Sequence, residues 1–77
     1  MPDELLTVDI HNEYTLKTID TNSGAIKTIR QVGGKIIRGP VIMGKDRVSI
    51  TVETPTGKIG KVFKLPNLII VKTFQAS

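Results

Sequence analysis

The stretch RVSITVETPTGKIGKVFKL, residues 47–65, decides the predicted fold because it contains two strands and the turn between them. Apolar and polar residues alternate over 47–53, which is the period-two pattern of a strand with one buried face. Pro55 and Gly57 then predict a turn, since proline restricts its own φ and glycine accepts a positive one. Residues 58–65 follow as the returning strand. The stretch therefore predicts an antiparallel β-hairpin.

Further strand patterns lie on both sides of this hairpin. Isoleucine, valine and threonine dominate the chain while alanine is rare, and this composition favours strands over helices. The predicted strands are residues 14–19, 35–43 and 68–74. Gly39-Pro40 inside the second of them indicates a bulge, an edge strand or a sharp bend. Because four consecutive apolar residues open the last strand, we expect burial on both of its faces.

Residues 25–32 admit two structures. The turn-forming sequence Asn22-Ser23-Gly24 before them is typical of a hairpin that leads into another strand. Alternatively, Ser23 caps a short helix that ends at Gly33. Threonine and isoleucine in the segment have restricted side-chain rotamers, which favours the strand.

The tight succession of strands and turns predicts one small all-β domain spanning residues 1–77. Five or six short strands are typical of a partly open barrel, SH3-like or, as the alternative, OB-like. We expect residues 1–7 and 75–77 to be flexible ends. Such barrels are binding scaffolds more often than enzymes, although a fold alone does not establish a function.

The residue types needed for catalysis or metal binding are scarce. The chain has no cysteine, one histidine and serines only at positions 23, 49 and 77, so no set of nucleophile, base and orienting group is evident. His11 has no accompanying cluster of ligands and is expected to be a solvated turn residue rather than a metal ligand. Residues 39–45 have the GxxxxGK spacing of a phosphate-binding loop, but Asp46 replaces the required Ser or Thr. We expect no enzyme activity, cofactor, metal or small-molecule substrate.

The termini and the hydropathy pattern predict a cytoplasmic protein that does not enter a membrane. The first ten residues carry acids where a signal peptide carries bases. In addition, no apolar run approaches the roughly 18 residues that a membrane-spanning helix needs.

The net charge of +4 conceals an asymmetry along the chain. Residues 1–20 contain five acids and one base, whereas the rest of the chain contains ten bases and two acids. A basic body of this kind is typical of proteins that meet polyanions, with phosphate contacts supplying affinity independent of sequence. The competing interpretation is that lysine keeps a small β-protein soluble and prevents pairing at its strand edges.

Residues 46–72 resemble the KOW motif of certain ribosomal proteins and NusG-type transcription factors. In that family an Asp-x-Val strand leads through a loop to Gly-Lys-x-Gly-Lys-Val, matched here by Asp46-Arg47-Val48 and by residues 57–62. Residues 68–71 correspond to the closing strand. A second alignment remains open, with residues 39–41 as the glycine-valine element and 48–53 as the closing strand. The resemblance implies an SH3-like barrel.

The bases on and beside the hairpin form the predicted binding site. We expect a non-catalytic module that contacts the backbone of RNA or DNA. Only three aromatic residues are present, which counts against single-strand binding by base stacking and leaves duplex DNA or folded RNA. Gly57 and Pro55 are assigned to the turn, and Gly60 either permits a bend of its strand or allows another backbone to approach closely. The predicted nucleic-acid-binding residues are Lys58, Lys61, Lys64, Lys45, Arg47, Arg38 and Lys35.

The alternative function is that of a protein-interaction or assembly subunit, such as a small phage or complex component. An exposed strand edge would then pair with a partner protein or with a second copy. The apolar run at residues 68–71 supports this alternative because a partner would cover it.

Overall fold

A computed structural model describes residues 6–76, which form seven strands and no helix. The prediction of an all-β chain is confirmed. Residues 6–76 therefore include no helical segment that could span a membrane. The strands are β1 (Leu6–Asn12), β2 (Thr15–Asp20), β3 (Ile26–Gln31), β4 (Lys35–Met43), β5 (Arg47–Thr54), β6 (Gly57–Lys64) and β7 (Ile69–Ala76).

The strands form two antiparallel sheets instead of a closed barrel. The first sheet has the order β1-β2-β3 and the second has the order β4-β5-β6-β7. Every strand therefore pairs with its neighbour in sequence, except that β3 does not pair with β4. The chain passes from one sheet to the other at Gly33-Gly34. Because this connection interrupts the pairing, both sheets stay open.

The hairpin that decided the predicted fold is present with a regular register. In β5 and β6, Val48 lies opposite Phe63 and Val52 lies opposite Ile59, with no shift along the pair. The strand prediction for residues 25–32 is confirmed by β3, and the helix alternative is wrong. The Ser23 hydroxyl accepts a hydrogen bond from the Ala25 amide at 3.2 Å, which stabilises the turn before β3.

The strand β1 was missed by the sequence analysis. Residues 6 and 7, expected to be flexible, belong to β1, and residues 75 and 76 belong to β7. The rest of the predicted flexible ends, residues 1–5 and 77, lie outside the described residues. His11 is exposed and lies in β1, not in a turn. It occupies the irregularity between Ile10 and Asn12 in the pairing with β2.

The prediction that the last strand is buried on both faces is wrong. Leu68 is fully buried, but it precedes β7 and adopts a left-handed backbone conformation with φ 55°. The next three residues, Ile69, Ile70 and Val71, are 55%, 45% and 44% exposed. They lie on β7, which is an edge strand of the second sheet, so one edge of β7 has no partner strand.

The core lies between the two sheets. The face of the second sheet that carries Val48 and Phe63 is here called its inner face, and the opposite face its outer face. The first sheet contributes Val8 and Leu16 to the core, and the connection after it contributes Val32. The second sheet with its last turn contributes Val48, Ile50, Val52, Phe63 and Leu68. Burial of these apolar side chains supplies the main stabilisation of a domain this small.

Gly39-Pro40 lies in an edge strand with irregular pairing, as predicted. The register between β4 and β5 shifts on both sides of Arg38. Gly39 has φ +93°, and a Cβ atom there would lie 2.7 Å from the Ser49 carbonyl oxygen. The backbone of β4 thus approaches β5 closely at a position where only glycine fits.

Candidate nucleic-acid interface

The strand register determines which residues lie on the outer face of the second sheet. Side chains alternate between the two faces along a strand, and paired residues share a face. Because Val48, Ile50 and Val52 point inward, Arg47 and Glu53 point outward together with the residues opposite them.

Six exposed basic side chains lie on this outer face. Two come from β4, one from β5, two from β6 and one from β7, so every strand of the sheet contributes. Glu53 is the acid on this face among the described residues. We call this surface the basic face; it consists of Lys35, Arg38, Arg47, Lys58, Lys64 and Lys72.

The bases are concentrated at both ends of the strands. At one end, Lys35 and Lys58 flank Glu53 across three neighbouring strands. At the other end, Arg47 lies directly opposite Lys64. Lys45 is exposed in the turn between β4 and β5, next to this second pair. Two like charges opposite each other repel, so this end is suited to an anionic partner.

Lys61 is the predicted site residue that points away from the basic face. It pairs with Ile50 and therefore points to the inner face. Its ammonium group is partly buried and donates a hydrogen bond to the Val32 carbonyl oxygen at 2.7 Å. A charged donor on a carbonyl at this distance is a strong hydrogen bond. Lys61 thus connects the second sheet to the end of the first.

Arg30 makes the corresponding connection in the other direction. Its guanidinium donates to the Asn67 carbonyl oxygen at 3.2 Å, in the turn between β6 and β7. Between these two cations lies a cleft of about 360 Å³, whose lining includes Phe63, Leu68 and Ile70. Arg30 and Lys61 are therefore engaged in holding the two sheets together at this cleft.

Lys72 was missed by the sequence analysis. It lies opposite Val62 on the outer face, and Phe74 follows on the same face opposite Gly60. The period-two pattern alone could not assign this face, because β7 has a register shift at Val71. The alternation of residues 72–75 places Lys72 and Phe74 on one common face, but it does not show which face that is.

Gly60 allows a side chain to approach its strand closely. The pairing of β5 with β6 continues through Gly60 without a register shift. The ring of Phe74 lies over it, so that a Cβ atom on Gly60 would collide with the Cδ2, Cε2 and Cζ atoms of the ring. The Phe74 side chain itself remains 46% exposed. An aromatic ring thus lies across the middle of the basic face.

The predicted turn at Pro55 and Gly57 is confirmed. Thr54 lies opposite Gly57, so Pro55 and Thr56 form the loop. The Thr54 hydroxyl donates to the Gly57 carbonyl oxygen at 2.9 Å. This bond holds the end of the hairpin next to Lys58.

The chemical groups on the basic face are suited to binding anions. Its cations are ammonium and guanidinium groups, which donate hydrogen bonds to phosphate oxygens. Residues 6–76 contain no group of three or more His, Asp or Glu side chains arranged to hold a metal ion.

Comparisons of the chain with models of protein families, with curated proteins and with solved structures give no match.

Proposed function

We propose that this protein is a non-catalytic nucleic-acid-binding module whose basic face contacts the phosphate backbone of RNA or DNA. The supporting observation is the collection of six exposed cations and one acid on one sheet face. Such a surface attracts a polyanion and gains affinity by releasing its counterions. The proposal includes a cytoplasmic location. It also includes a relationship of the chain to SH3-like barrels, which the resemblance of residues 46–72 to the KOW motif supports.

The dimensions of the basic face suit several phosphates at once. Neighbouring strands are about 4.8 Å apart, so the four strands span roughly 14 Å. Arg47 and Glu53 lie six residues apart on β5, which corresponds to roughly 20 Å along the strand. A duplex carries one phosphate charge per about 1.7 Å of its axis, so this surface is large enough for all six bases to contribute.

Salt-dependent binding is the test of this proposal. Labelled duplex DNA, single-stranded DNA and structured RNA are titrated with the protein at about 50 and 200 mM salt. If the six bases each contact a phosphate, log K should fall with log salt at a slope of about −4.2 for a single strand and about −5.4 for a duplex. These slopes correspond to a loss of roughly 300- to 1,800-fold over that range. Absence of binding to all three nucleic acids at the lower salt concentration would refute the proposal.

The free edge of β7 favours a second candidate function, assembly with another chain. Ile69, Ile70 and Val71 are exposed on an unpaired strand edge, and such edges readily pair with further strands. The edge at β4 differs because Pro40 lacks an amide donor and the register of the strand is interrupted. A second copy or a partner protein pairing with β7 would cover the exposed apolar residues.

Sedimentation velocity over a wide concentration range tests self-assembly through β7. We expect the wild-type chain to form dimers as its concentration rises. Ile70→Lys should restore the monomer, because it places a charge on the exposed part of this edge. Ile26→Lys, at an exposed position on β3, is the matched control and should leave the association unchanged. A wild-type monomer at all concentrations would exclude self-assembly.

A further inference from the structure

We infer that the basic face binds single-stranded nucleic acid by stacking an unpaired base on Phe74. This inference rests on the proposed function and makes it more specific. The small number of aromatic residues led the sequence analysis to disfavour stacking. The structure places one of them in the middle of the cations.

The first argument is the position of the ring. Phe74 lies opposite Gly60 in a regular part of the β6–β7 pair, and its ring covers the glycine. Gly60 is buried although it lies on the outer face of the sheet, while Phe74 is 46% exposed. The ring is therefore supported by backbone beneath it and accessible to a ligand from outside.

The second argument is the arrangement of charge around the ring. Lys72 precedes Phe74 by two residues on the same face. Lys58 precedes Gly60 by two residues on β6 and, because the two strands are antiparallel, lies on the opposite side of the ring from Lys72. Two residues along a strand correspond to about 7 Å. Cations thus lie on both sides of the ring along the strand direction, where the phosphates flanking a stacked base would be neutralised.

The third argument concerns the strandedness of the ligand. In a duplex both faces of an internal base are already covered by its neighbours, so a side chain on a flat sheet cannot stack on it. An unpaired base offers a free face, and stacking on an aromatic ring is tolerant of base identity. Single-stranded RNA or DNA is therefore the class of ligand that uses both the cations and the ring.

Aromatic cover of a strand glycine also has a purely structural use, because the ring replaces the missing side chain. The two roles predict different results. A structural ring affects stability alone, whereas a stacking ring makes affinity depend on the presence of bases in the ligand.

The experiment compares two single-stranded ligands of about ten nucleotides with equal numbers of phosphates. One is a deoxythymidine oligonucleotide, and the other has abasic sites throughout. We expect the wild-type protein to bind the first about 5- to 100-fold more tightly. Phe74→Leu should reduce the ratio of the two affinities to about one, since leucine offers no ring for stacking. Phe74→Trp should preserve it.

Fluorescence gives a second readout, since the chain contains no tryptophan. Stacking should quench the tryptophan of Phe74→Trp with the thymidine ligand and not with the abasic ligand. Thr7→Trp, at an exposed position on β1, is the control and should not respond. Circular dichroism checks the fold of each variant, and the tryptophan variant tests stacking even where Phe74→Leu unfolds.

The outcomes separate the two proposals. Equal affinities of the wild type for the thymidine and abasic ligands, with salt-dependent binding of both, would overturn stacking and retain the basic face. If the wild-type protein bound no nucleic acid, both the stacking and the proposed function would be overturned.

Discussion

Replacing Lys58, Lys64 and Lys72 together by alanine is expected to weaken nucleic-acid binding by about 100-fold or more at roughly 0.1 M salt. These lysines are exposed on the outer face of β6 and β7. Each phosphate contact contributes about 0.7 to 0.9 to the salt slope. The slope of log K against log salt should therefore become less steep by about 2 to 3. Titrations of wild type and variant at several salt concentrations measure both effects.

Lys61→Met is the control for the position of the charge. It removes one positive charge, where the outer-face variant removes three, and it removes it from the inner face, where the ammonium group donates to the Val32 carbonyl oxygen. We expect affinity to stay within about twofold, while the free energy of unfolding falls by about 1–2 kcal/mol with the loss of a charged hydrogen bond. If folded Lys61→Met lost binding as strongly as the outer-face variant, the assignment of the basic face would be wrong.

Gly39→Ala is expected to lower the free energy of unfolding by about 3 kcal/mol. Alanine at φ +93° is strained by about 1–2 kcal/mol. The added Cβ would also lie 2.7 Å from the Ser49 carbonyl oxygen and 3.1 Å from the Ile50 Cα atom. Both atoms belong to the backbone of β5, so β4 itself must shift. Urea denaturation followed by circular dichroism measures the change.

Gly44→Ala separates strain from steric overlap. Gly44 also has a positive φ, +70°, but a Cβ atom there would meet nothing within 4 Å. Its cost should therefore be the strain alone, about 1 kcal/mol. Equal effects of the two substitutions would show that the close approach of β4 to β5 at Gly39 does not contribute to stability.

The sequence predicted the strands best where alternation and turn residues agreed. Residues 47–53 alternate over a full strand, and Pro55 and Gly57 mark the turn, so the hairpin and its faces followed. The same rule also fits β1, where Leu6, Val8 and Ile10 alternate with Thr7, Asp9 and His11. The strand was missed because residues 1–7 were expected to be a flexible end and His11 a turn residue. Alternation could not show that β3 and β7 each keep one edge unpaired, since pairing between distant strands depends on how the sheets pack.

The candidate site was predicted in part for a similar reason. Lys58 and Lys64 share a face of β6 by their spacing, whereas Lys61 alternates with them and belongs with Phe63. All three were nevertheless grouped into one site, because neither face of the strand is cleanly polar and a bend between two environments was expected. Lys72 could be assigned to the face only with the register of β7, and the position of Phe74 over Gly60 depends on that same register.

The hydrogen bond of Lys61 has a consequence for the chemical reactivity of the protein. An amine must be accessible to attack an acylating reagent, and the Lys61 amine is partly buried and donates to the Val32 carbonyl oxygen. Lys58 and Lys64, on the same strand, are exposed. Acetylation should therefore modify these two lysines first and Lys61 last. Lys61 can thus serve as the reference lysine of this strand. The protection of the other lysines by a bound polyanion can be measured against its reactivity.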